Sequence, residues 1–450
     1  MIFSSNPQHA THPHRILAKR ALVTLLTAAQ ATVCRAQIPF TTPATYINVI
    51  TQGAKCDGTT DDAPAFNAAL AQADPAKGGV GAVFVPPSAT ACRLGTPIIL
   101  RANETLFTNP ANAATLAPIA PFPRPTATPL LVVVNTIYNV TISGLAFDGD
   151  GQNVGASGTL ITVYNAAHVL FNQISITNAR GLGLIFAGNT TNSGIQSSYF
   201  ANNGVYYLTH GGVNDLADRA QTIVFCCATP APGGTWAAQG NFAVNNSFGV
   251  NGFDNLTIGQ QTSFTAQNNS FAGTSNGANI YCADTSNTLI EGNHATGASG
   301  NGIDCFINSY LTIKNNLSWG NGAAGIQAAG TNHGWITGNT TMNNFLSVAP
   351  SWAVTHPGSY TSLHRGGITL GGQPTSGGNV SNTTSYMIIE DNISGNAATY
   401  GAAGNDQPYG IQIGTSACTL KTGNLTIANN TLSGNTISPQ FTYTGTNCGP

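Results

Sequence analysis

A single aspartate, Asp304, combines a residue type and a position that suit acid–base chemistry. It lies in the phrase Gly302-Ile303-Asp304-Cys305, where strand alternation predicts that Ile303 points inward and Asp304 outward. A carboxyl group on a rigid strand can protonate a glycosidic oxygen or activate water. Such a reaction needs a second carboxylate, for which the candidates are Asp284, Asp215 and Asp406. The competing interpretation of Asp304 is a solvated or turn-bonded carboxylate.

Polar residues occupy the strand position of Asp304 in the neighbouring repeats. With a constant register, one outward row contains Tyr281, Asp304, Gln327, Thr369 and Gln412. Hydroxyl and amide groups of this kind suit the binding of a sugar. We therefore predict Tyr281 and Gln327 as substrate-binding residues beside the catalytic candidates Asp304, Asp284 and Asp215.

Three long insertions, residues 209–250, 344–365 and 396–409, interrupt the repeats. Binding residues concentrate in such loops. The insertions collect aromatic and charged residues, which suits a sugar-binding groove. The substrate-binding candidates in them are Trp352, His364, Arg365, Arg219 and Asp406. The competing interpretation is that the tryptophans, Trp352 and Trp236, only pack the loops onto the scaffold.

An internal repeat supplies the elements that would position these residues. Ile290, Ile313 and Ile336 are 23 residues apart, and a Gly-Ile phrase follows the first two at a constant distance. Short apolar runs with alternating side chains indicate strands. One repeat cannot bury its apolar side alone, so the repeats must stack around a continuous core. The sequence therefore predicts an all-β solenoid, a parallel β-helix with about 23 residues per coil.

A column of asparagines repeats with the same period and is predicted to be structural. Stacked amide side chains can hydrogen-bond along the solenoid axis and to the turn backbone. Lys314 is predicted to lie above Glu291 as a cross-coil ion pair of little energetic weight. The members of the column are Asn269, Asn293, Asn316, Asn339, Asn392 and Asn430.

Residues 47–100 do not follow the repeat and are predicted to form an N-terminal cap segment. An alanine-rich stretch, Ala63–Ala73, predicts a helix with Thr60 or Asp61 as its N-cap, and 80–86 predicts a buried strand. The preceding carboxylates suit the positive end of the helix. This capping role, rather than metal binding or catalysis, is our interpretation of Asp57, Asp61 and Asp62.

This cap resembles the entry segment of the pectate-lyase superfamily. The resemblance rests on a Gly-Ala-x-x-Asp-Gly-x-x-Asp-Asp phrase at 53–62, the alanine-rich helix and a Val-x-Val-Pro strand; with the repeats it extends over nearly all of residues 37–450. It implies a single-stranded right-handed parallel β-helix with a short N-terminal capping α-helix. The chain departs at Cys92, where relatives often carry an aromatic residue, and a Cys56–Cys92 bridge would account for the substitution.

The first 36 residues have the features of a secretory signal peptide. Three basic residues precede an apolar run, 21–33, which ends at small residues that suit cleavage after Ala36. We expect a secreted protein, extracellular or periplasmic, with no membrane association after cleavage. Cleavage would leave 10 basic against 16 acidic residues, which disfavours nucleic acid as a partner.

The nine cysteines have no Cys-x-x-Cys spacing, so a metal–thiolate site is not expected. Local pairing favours Cys56 with Cys92 and Cys418 with Cys448. The adjacent Cys226 and Cys227 remain unassigned at this stage. Cys282 and Cys305 should both point inward one coil apart, and strand spacing favours free thiols there.

Three functions are compatible with this pattern, because the superfamily contains hydrolases, lyases, epimerases, tailspikes and adhesins. The leading hypothesis is a carbohydrate-active enzyme, a glycoside hydrolase with acidic catalytic residues. The alternatives are a polysaccharide lyase, with His364 and Arg365 or Arg219 acting on a uronate, and a non-catalytic glycan-binding adhesin or spike. No cofactor is expected, although the acidic turn with Asp148 and Asp150 is compatible with Ca²⁺. The oligomeric state is not determined by the sequence.

Overall fold

A computed structural model describes residues 40–119, 131–150, 159–205, 221–233, 235–345, 366–371, 384–396, 407–413 and 425–442. The predicted signal segment lies outside these residues. The described helices are one α-helix, Ala63–Ala73, and three 3₁₀ turns, Val49–Gln52, Pro75–Lys77 and Pro110–Asn112. Within this part of the chain, no helix is both long and apolar enough to cross a membrane.

The strands form three long parallel sheets, which we name A, B and C. Sheet A contains Ile47–Asn48, Ala82–Phe84, Thr105–Phe107, Tyr138–Ser143, Ala167–Asn172, Gly194–Gln196, Phe242–Val244, Thr265–Gln267, Leu289–Glu291, Ser309–Lys314, Asn332–Thr337, Ser385–Glu390 and Leu425–Ala428. Sheet B contains Cys92–Leu94, Thr115–Pro118, Ala146–Asp148, Ser175–Thr177, Tyr199–Ala201, Ser247–Phe248, Ser270–Phe271, His294–Thr296, Leu317–Trp319, Thr340–Met342, Ile393–Gly395 and Thr431–Ser433.

Sheet C carries the outer face on which Asp304 lies. It contains Ile98–Ile99, Val132–Asn135, Ile161–Tyr164, Leu184–Ala187, Ile223–Cys226, Leu256–Gly259, Ile280–Ala283, Ile303–Phe306, Ile326–Ala329, Gly366–Gly371, Tyr409–Ile413 and Ser438–Thr442. One small antiparallel hairpin, Pro230–Ala231 with Thr235–Trp236, lies outside the three sheets.

Each coil passes through sheets C, A and B in turn before it returns to C one strand further along. Ile290, Ile313 and Ile336 pair in register in sheet A and are fully buried, as the 23-residue period predicts. The core runs continuously between the sheets because each coil covers the apolar side of the next. The predicted all-β parallel β-helix and its helix Ala63–Ala73 are therefore confirmed.

The predicted asparagine ladder occupies the turn from sheet A to sheet B. In each coil a residue in the left-handed conformation, such as Gly292 or Asn315, precedes the ladder asparagine. Asn293 Oδ1 then accepts both the backbone N–H and the Nδ2–H of Asn269, each at 2.9 Å, and the pattern repeats in the following coils. The ladder begins one coil earlier than predicted, at Asn246.

Carboxylates organise the N-terminal cap, as predicted, but with a different N-cap residue. Asp62, rather than Thr60 or Asp61, stands at the N-cap, and its carboxylate accepts the backbone N–H groups of Lys55 and Cys56. Asp61 Oδ1 accepts the N–H of Ala63 at 3.0 Å. Asp57 closes its own turn by accepting two backbone N–H groups at 59 and 60. All three carboxylates are thus used structurally.

Three disulfides are present among the described residues. Cys56–Cys92 forms as predicted, and its thiols are therefore not available as metal ligands beside Asp62. The adjacent cysteines, Cys226 and Cys227, are bonded to each other. The predicted Cys418–Cys448 pair lies outside the described residues.

The expectation of free thiols at Cys282 and Cys305 is wrong, because these two cysteines are disulfide-bonded. Their Cα atoms are 4.5 Å apart, which lies inside the range that a disulfide spans. The ~4.8 Å spacing of neighbouring strands also lies inside that range, so inward-facing cysteines in register on adjacent strands can be bridged. The predicted ion pair between Lys314 and Glu291 is present at 3.1 Å.

Just after the cap segment, the Glu104 carboxylate is buried and only one of its two oxygens accepts a hydrogen bond. Glu104 is fully buried; its Oε2 accepts the N–H of Arg101, while its Oε1 lies 3.7 Å from the Arg101 guanidinium and makes no hydrogen bond. Burial raises the pKa of Glu104 to about 7, against the lowering effects of the Arg101 N–H and charge.

Replacement of one ladder residue tests the importance of the stacked amides. Asn316→Ala removes the acceptor for Asn293 and leaves three acceptors without the Asn316 Nδ2 donor. Since each buried unpaired group costs ~1–3 kcal/mol, we expect a loss of at least ~3 kcal/mol in the free energy of unfolding, measured by denaturant titration. The exposed Asn112→Ala serves as the control and should change it little. An unchanged stability of Asn316→Ala would contradict a structural ladder.

The buried Glu104 predicts a pH dependence of stability. Its pKa is higher in the folded state than the ordinary value of 4.5, so the folded state favours the protonated form. The contribution of Glu104 to stability should therefore be most favourable below about pH 4.5 and fall as the pH rises to about 7. Glu104→Gln should remove up to ~3 kcal/mol of this dependence and unfold at a higher temperature above pH 7, measured by calorimetry. Parallel pH profiles of the two proteins would refute the interpretation.

Candidate functional site

The predicted polar row is present on sheet C. Strand pairing aligns Thr257, Tyr281, Asp304, Gln327 and Thr369, and continues to Gln412. The inward neighbours of Asp304, Ile303 and Cys305, are fully buried in the core, so the row lies on the other side of the sheet. The row is not the open polar surface that the sequence suggested, however. Asp304 is only 3% exposed, and of the aligned residues only Tyr281 is half-buried.

Asp304 is a buried acid whose hydrogen bonding is incomplete. Its carboxyl group bonds to the Asn301 side chain, whereas Oδ1 has no hydrogen-bond partner within the described part of the chain. Asn301 is itself held in place, because its Nδ2 donates to Gln327 Oε1 at 3.1 Å and its Oδ1 accepts the N–H of Ala324 at 2.8 Å. Oδ1 is therefore a buried acceptor without a partner among the described residues, an exception to the usual pairing of buried polar atoms.

The protonation state of Asp304 follows from this burial. Desolvation raises the pKa of Asp304 well above its usual range, and the hydrogen bond from Asn301 offsets only part of that effect. The negative charge of Asp254 raises the pKa further. A carboxyl group of this kind holds its proton at a pH where exposed aspartates have lost theirs, as a general acid must.

Asp254, whose charge acts on Asp304, is a residue that the sequence pattern does not single out. It stands two residues before the strand Leu256–Gly259, just as Asn301 stands two residues before Ile303–Phe306. Its Oδ1 accepts the N–H of Ala278 at 2.7 Å, and its Oδ2 accepts Gln221 Nε2 at 3.4 Å. A Cβ at Gly277 would lie 2.5 Å from this carboxylate, so glycine leaves the room that Asp254 requires. By strand register it precedes Thr257, the position aligned with Asp304, by three residues and lies two coils before it, so register alone does not identify it.

The predicted partner Asp284 lies one coil before Asp304, just beyond the end of its strand. It follows the last residue of the strand Ile280–Ala283 and is therefore three residues beyond the position aligned with Asp304. At ~3.3 Å per residue, this displaces it by ~10 Å along the strand direction. Burial raises the pKa of Asp284 as well, but the two carboxyl groups lie toward opposite ends of the strands. The other predicted partners, Asp215 and Asp406, lie outside the described residues.

Long connections flank the strands of sheet C. The chain runs from Met342 to Gly366 and from Gly395 to Tyr409 between sheets B and C, so the two predicted insertions do share one edge. The third predicted insertion, 209–250, is not one loop, because the sheet C strand Ile223–Cys226 interrupts it. The binding candidates on these connections, namely Trp352, His364, Arg365, Arg219 and Asp406, lie outside the described residues.

The structure also describes Trp236 and the acidic turn with Asp148 and Asp150, which the sequence analysis considered. Trp236 belongs to the short hairpin that follows Ile223–Cys226, where its backbone N–H donates to Thr262 Oγ1 at 2.8 Å. In the acidic turn considered for Ca²⁺, Asp150 forms an ion pair with Arg93 at 2.7 Å, and Asp148 Oδ1 accepts Asn178 Nδ2 at 3.0 Å. These carboxylates already have protein partners, which weakens the case for a cation there.

Solved structures with the same architecture were found by structural comparison. No protein-family model matches the sequence, and no curated protein matches it significantly. The A-module of the Azotobacter vinelandii mannuronan C-5 epimerase AlgE6 superposes with a TM-score of 0.64 at 19% identity, covering 89% of this chain and 100% of the module. The surface adhesin PfbA of Streptococcus pneumoniae gives 0.54 at 14% identity, covering 88% and 93% of the two chains.

A glucanase is also similar in structure. The catalytic unit of the GH87 α-1,3-glucanase of Streptomyces thermodiastaticus gives a TM-score of 0.50 at 12% identity, covering 89% of this chain and 71% of the unit. At such low identities the similarity establishes the fold and not the reaction. With its three long parallel sheets, the chain therefore has the right-handed parallel β-helix fold of these structures.

Proposed function

We propose that this protein is a secreted enzyme that hydrolyses glycosidic bonds in a polysaccharide, with Asp304 as the general acid. The observation that carries the proposal is the carboxyl group of Asp304: it is buried on a rigid strand, its pKa is raised well above the usual range, and Oδ1 lacks a partner among the described residues. A proton held in this way can be given to the oxygen of a leaving sugar.

Asp254 is proposed as the second carboxylate in place of Asp284. Its negative charge raises the pKa of Asp304, so the protonation of the two carboxyl groups is coupled. An ionised carboxylate near a protonated one is the division of roles that glycosidases use: one group donates the proton and the other activates water or stabilises the developing positive charge. The Ala278 N–H and the Gln221 amide hold Asp254 in place.

The fold comparisons support the substrate class and leave the reaction open. The names of the similar structures include an epimerase of mannuronan and an α-1,3-glucanase, both of which act on polysaccharides. The second candidate reaction, β-elimination on a uronate, would depend on His364, Arg365 or Arg219, which are outside the described residues. Glycan binding without cleavage is the third outcome. No cofactor is part of the proposal.

Replacement of Asp304 tests the assignment directly. The purified protein should release oligosaccharides from one member of a panel that includes mannuronan and α-1,3-glucan, read by product mass; hydrolysis adds the mass of water and elimination does not. Asp304→Asn keeps the shape but has no acidic proton to give, so we expect kcat to fall by ~10²–10⁴-fold. The control is the exposed Asp391→Asn, since the equivalent turn position in other coils is already asparagine. Full activity of Asp304→Asn would refute the proposal.

Replacement of Asp254 tests the electrostatic coupling without requiring activity. The charge of Asp254 raises the pKa of Asp304, so its removal in Asp254→Asn should lower that pKa. Carboxyl ¹³C NMR of aspartate-labelled protein would follow the titration of Asp304, identified by its loss in Asp304→Asn. The same substitution at Asp391 should leave the titration unchanged. An unchanged or raised pKa in Asp254→Asn would contradict the coupling.

A further inference from the structure

The outer face of sheet C has a second column beside the polar row. Strand pairing aligns Ala187 with Cys226, and Gly259 with Ala283 and Phe306. These positions are two residues beyond the polar row on each strand, so they share its side of the sheet. Most of them carry small side chains. The column therefore forms a low strip that runs parallel to the row of Thr257, Tyr281 and Asp304.

The disulfide between Cys226 and Cys227 lies on this strip. Cys226 ends its strand and is half-buried, while Cys227 is exposed. The next residue along the strip, Gly259, leaves the surface open, since a Cβ placed there would find no atom closer than 3.7 Å. The pair thus presents a compact, polarisable and apolar surface at a place where the strip has no other bulk.

The polar row beside this strip contains two buried polar atoms without a partner among the described residues. Thr257 Oγ1 and Asp304 Oδ1 are both buried and have no hydrogen-bond partner within the described part of the chain. Thr257 lies one coil step from Val224 on the Cys226 strand, and Asp304 lies two steps further on. At a coil spacing of ~4.8 Å, the disulfide is ~14 Å from the Asp304 strand, a span that a short oligosaccharide covers.

We propose that the Cys226–Cys227 disulfide is a distal sugar-binding subsite, on which the apolar face of a sugar ring rests while the glycan chain runs along the solenoid axis to Asp304. The proposal rests on the proposed polysaccharide function. It adds the direction in which the glycan lies on the solenoid and the minimum length of glycan that reaches the subsite. The hairpin that follows Cys227 in the chain is held by a hydrogen bond on each side. The backbone N–H of Thr229 donates to Asn189 Oδ1, and the backbone N–H of Trp236 donates to Thr262 Oγ1.

The test compares oligosaccharides of graded length. Binding of mannuronan and α-1,3-glucan oligosaccharides is measured by calorimetry in the Asp304→Asn protein, which does not consume them, with and without Cys226→Ser and Cys227→Ser. The paired substitution should weaken the binding of the longer oligosaccharides by about tenfold and leave the shortest unaffected, because only the longer chains reach the subsite. The control is Tyr138→Ala, which alters an exposed position on sheet A. It should change the binding of neither the long nor the short oligosaccharides.

A chemical measurement covers the possibility that the substitutions disturb the fold. Mild dithiothreitol treatment should reduce Cys226–Cys227, with the reductant oxidised to its cyclic disulfide, while Cys56–Cys92 and Cys282–Cys305 resist because they are buried. Iodoacetamide labelling located by mass spectrometry identifies the reduced pair, and the labelled protein should show the same length-dependent loss of affinity.

Two results would overturn this inference alone: unchanged affinity at every length, or an equal loss at every length. Binding of neither oligosaccharide series by the parent protein would overturn it together with the proposed function. Full cleavage activity of Asp304→Asn would remove the assignment of Asp304 as the acid; the length dependence would then be read from cleavage rates, in which a loss confined to the longer chains would still locate the subsite.

Discussion

The structure depends on the constancy of the coil, and the buried asparagine ladder enforces it. Each ladder amide accepts two donors from one coil and donates to the next, so a coil of the wrong length at this turn would leave several buried groups unpaired. The cost of such unpaired groups is larger than that of most surface changes. In the coils that carry the ladder, insertions are therefore confined to the two connections that border sheet C.

This confinement explains where chemistry is possible. Sheet C has a rigid face with neighbouring connections long enough to carry functional residues, whereas the turn between sheets A and B has two residues in each described coil from Ser143 onward. The two earlier connections between these sheets, 85–91 and 108–114, are longer. A carboxyl group on that face is held by strand pairing rather than by a loop. Burial then determines its acid–base properties: the pKa of Asp304 rises because the fold removes water, and because Asp254 contributes a second negative charge.

The disulfides serve the same scaffold in different ways. Cys56–Cys92 joins the cap to the first strand of sheet B, and Cys282–Cys305 joins consecutive coils on the core side of the strands that carry Tyr281 and Asp304. The second bridge therefore fixes the separation of two residues in the polar row. Cys226–Cys227 joins no distant parts of the chain, so its contribution must be local, which is consistent with a role on the surface.

The sequence alone determined the fold, because a 23-residue period, alternating side chains and the asparagine column are local patterns that only stacked coils satisfy. It also placed Asp304 in its row, since register is a matter of counting. It could not determine exposure, the pairing of Cys282 with Cys305, or the effect of the Asp254 charge on Asp304. Those depend on how closely particular strands approach and on what covers them, and both are settled only when the coils stack in three dimensions.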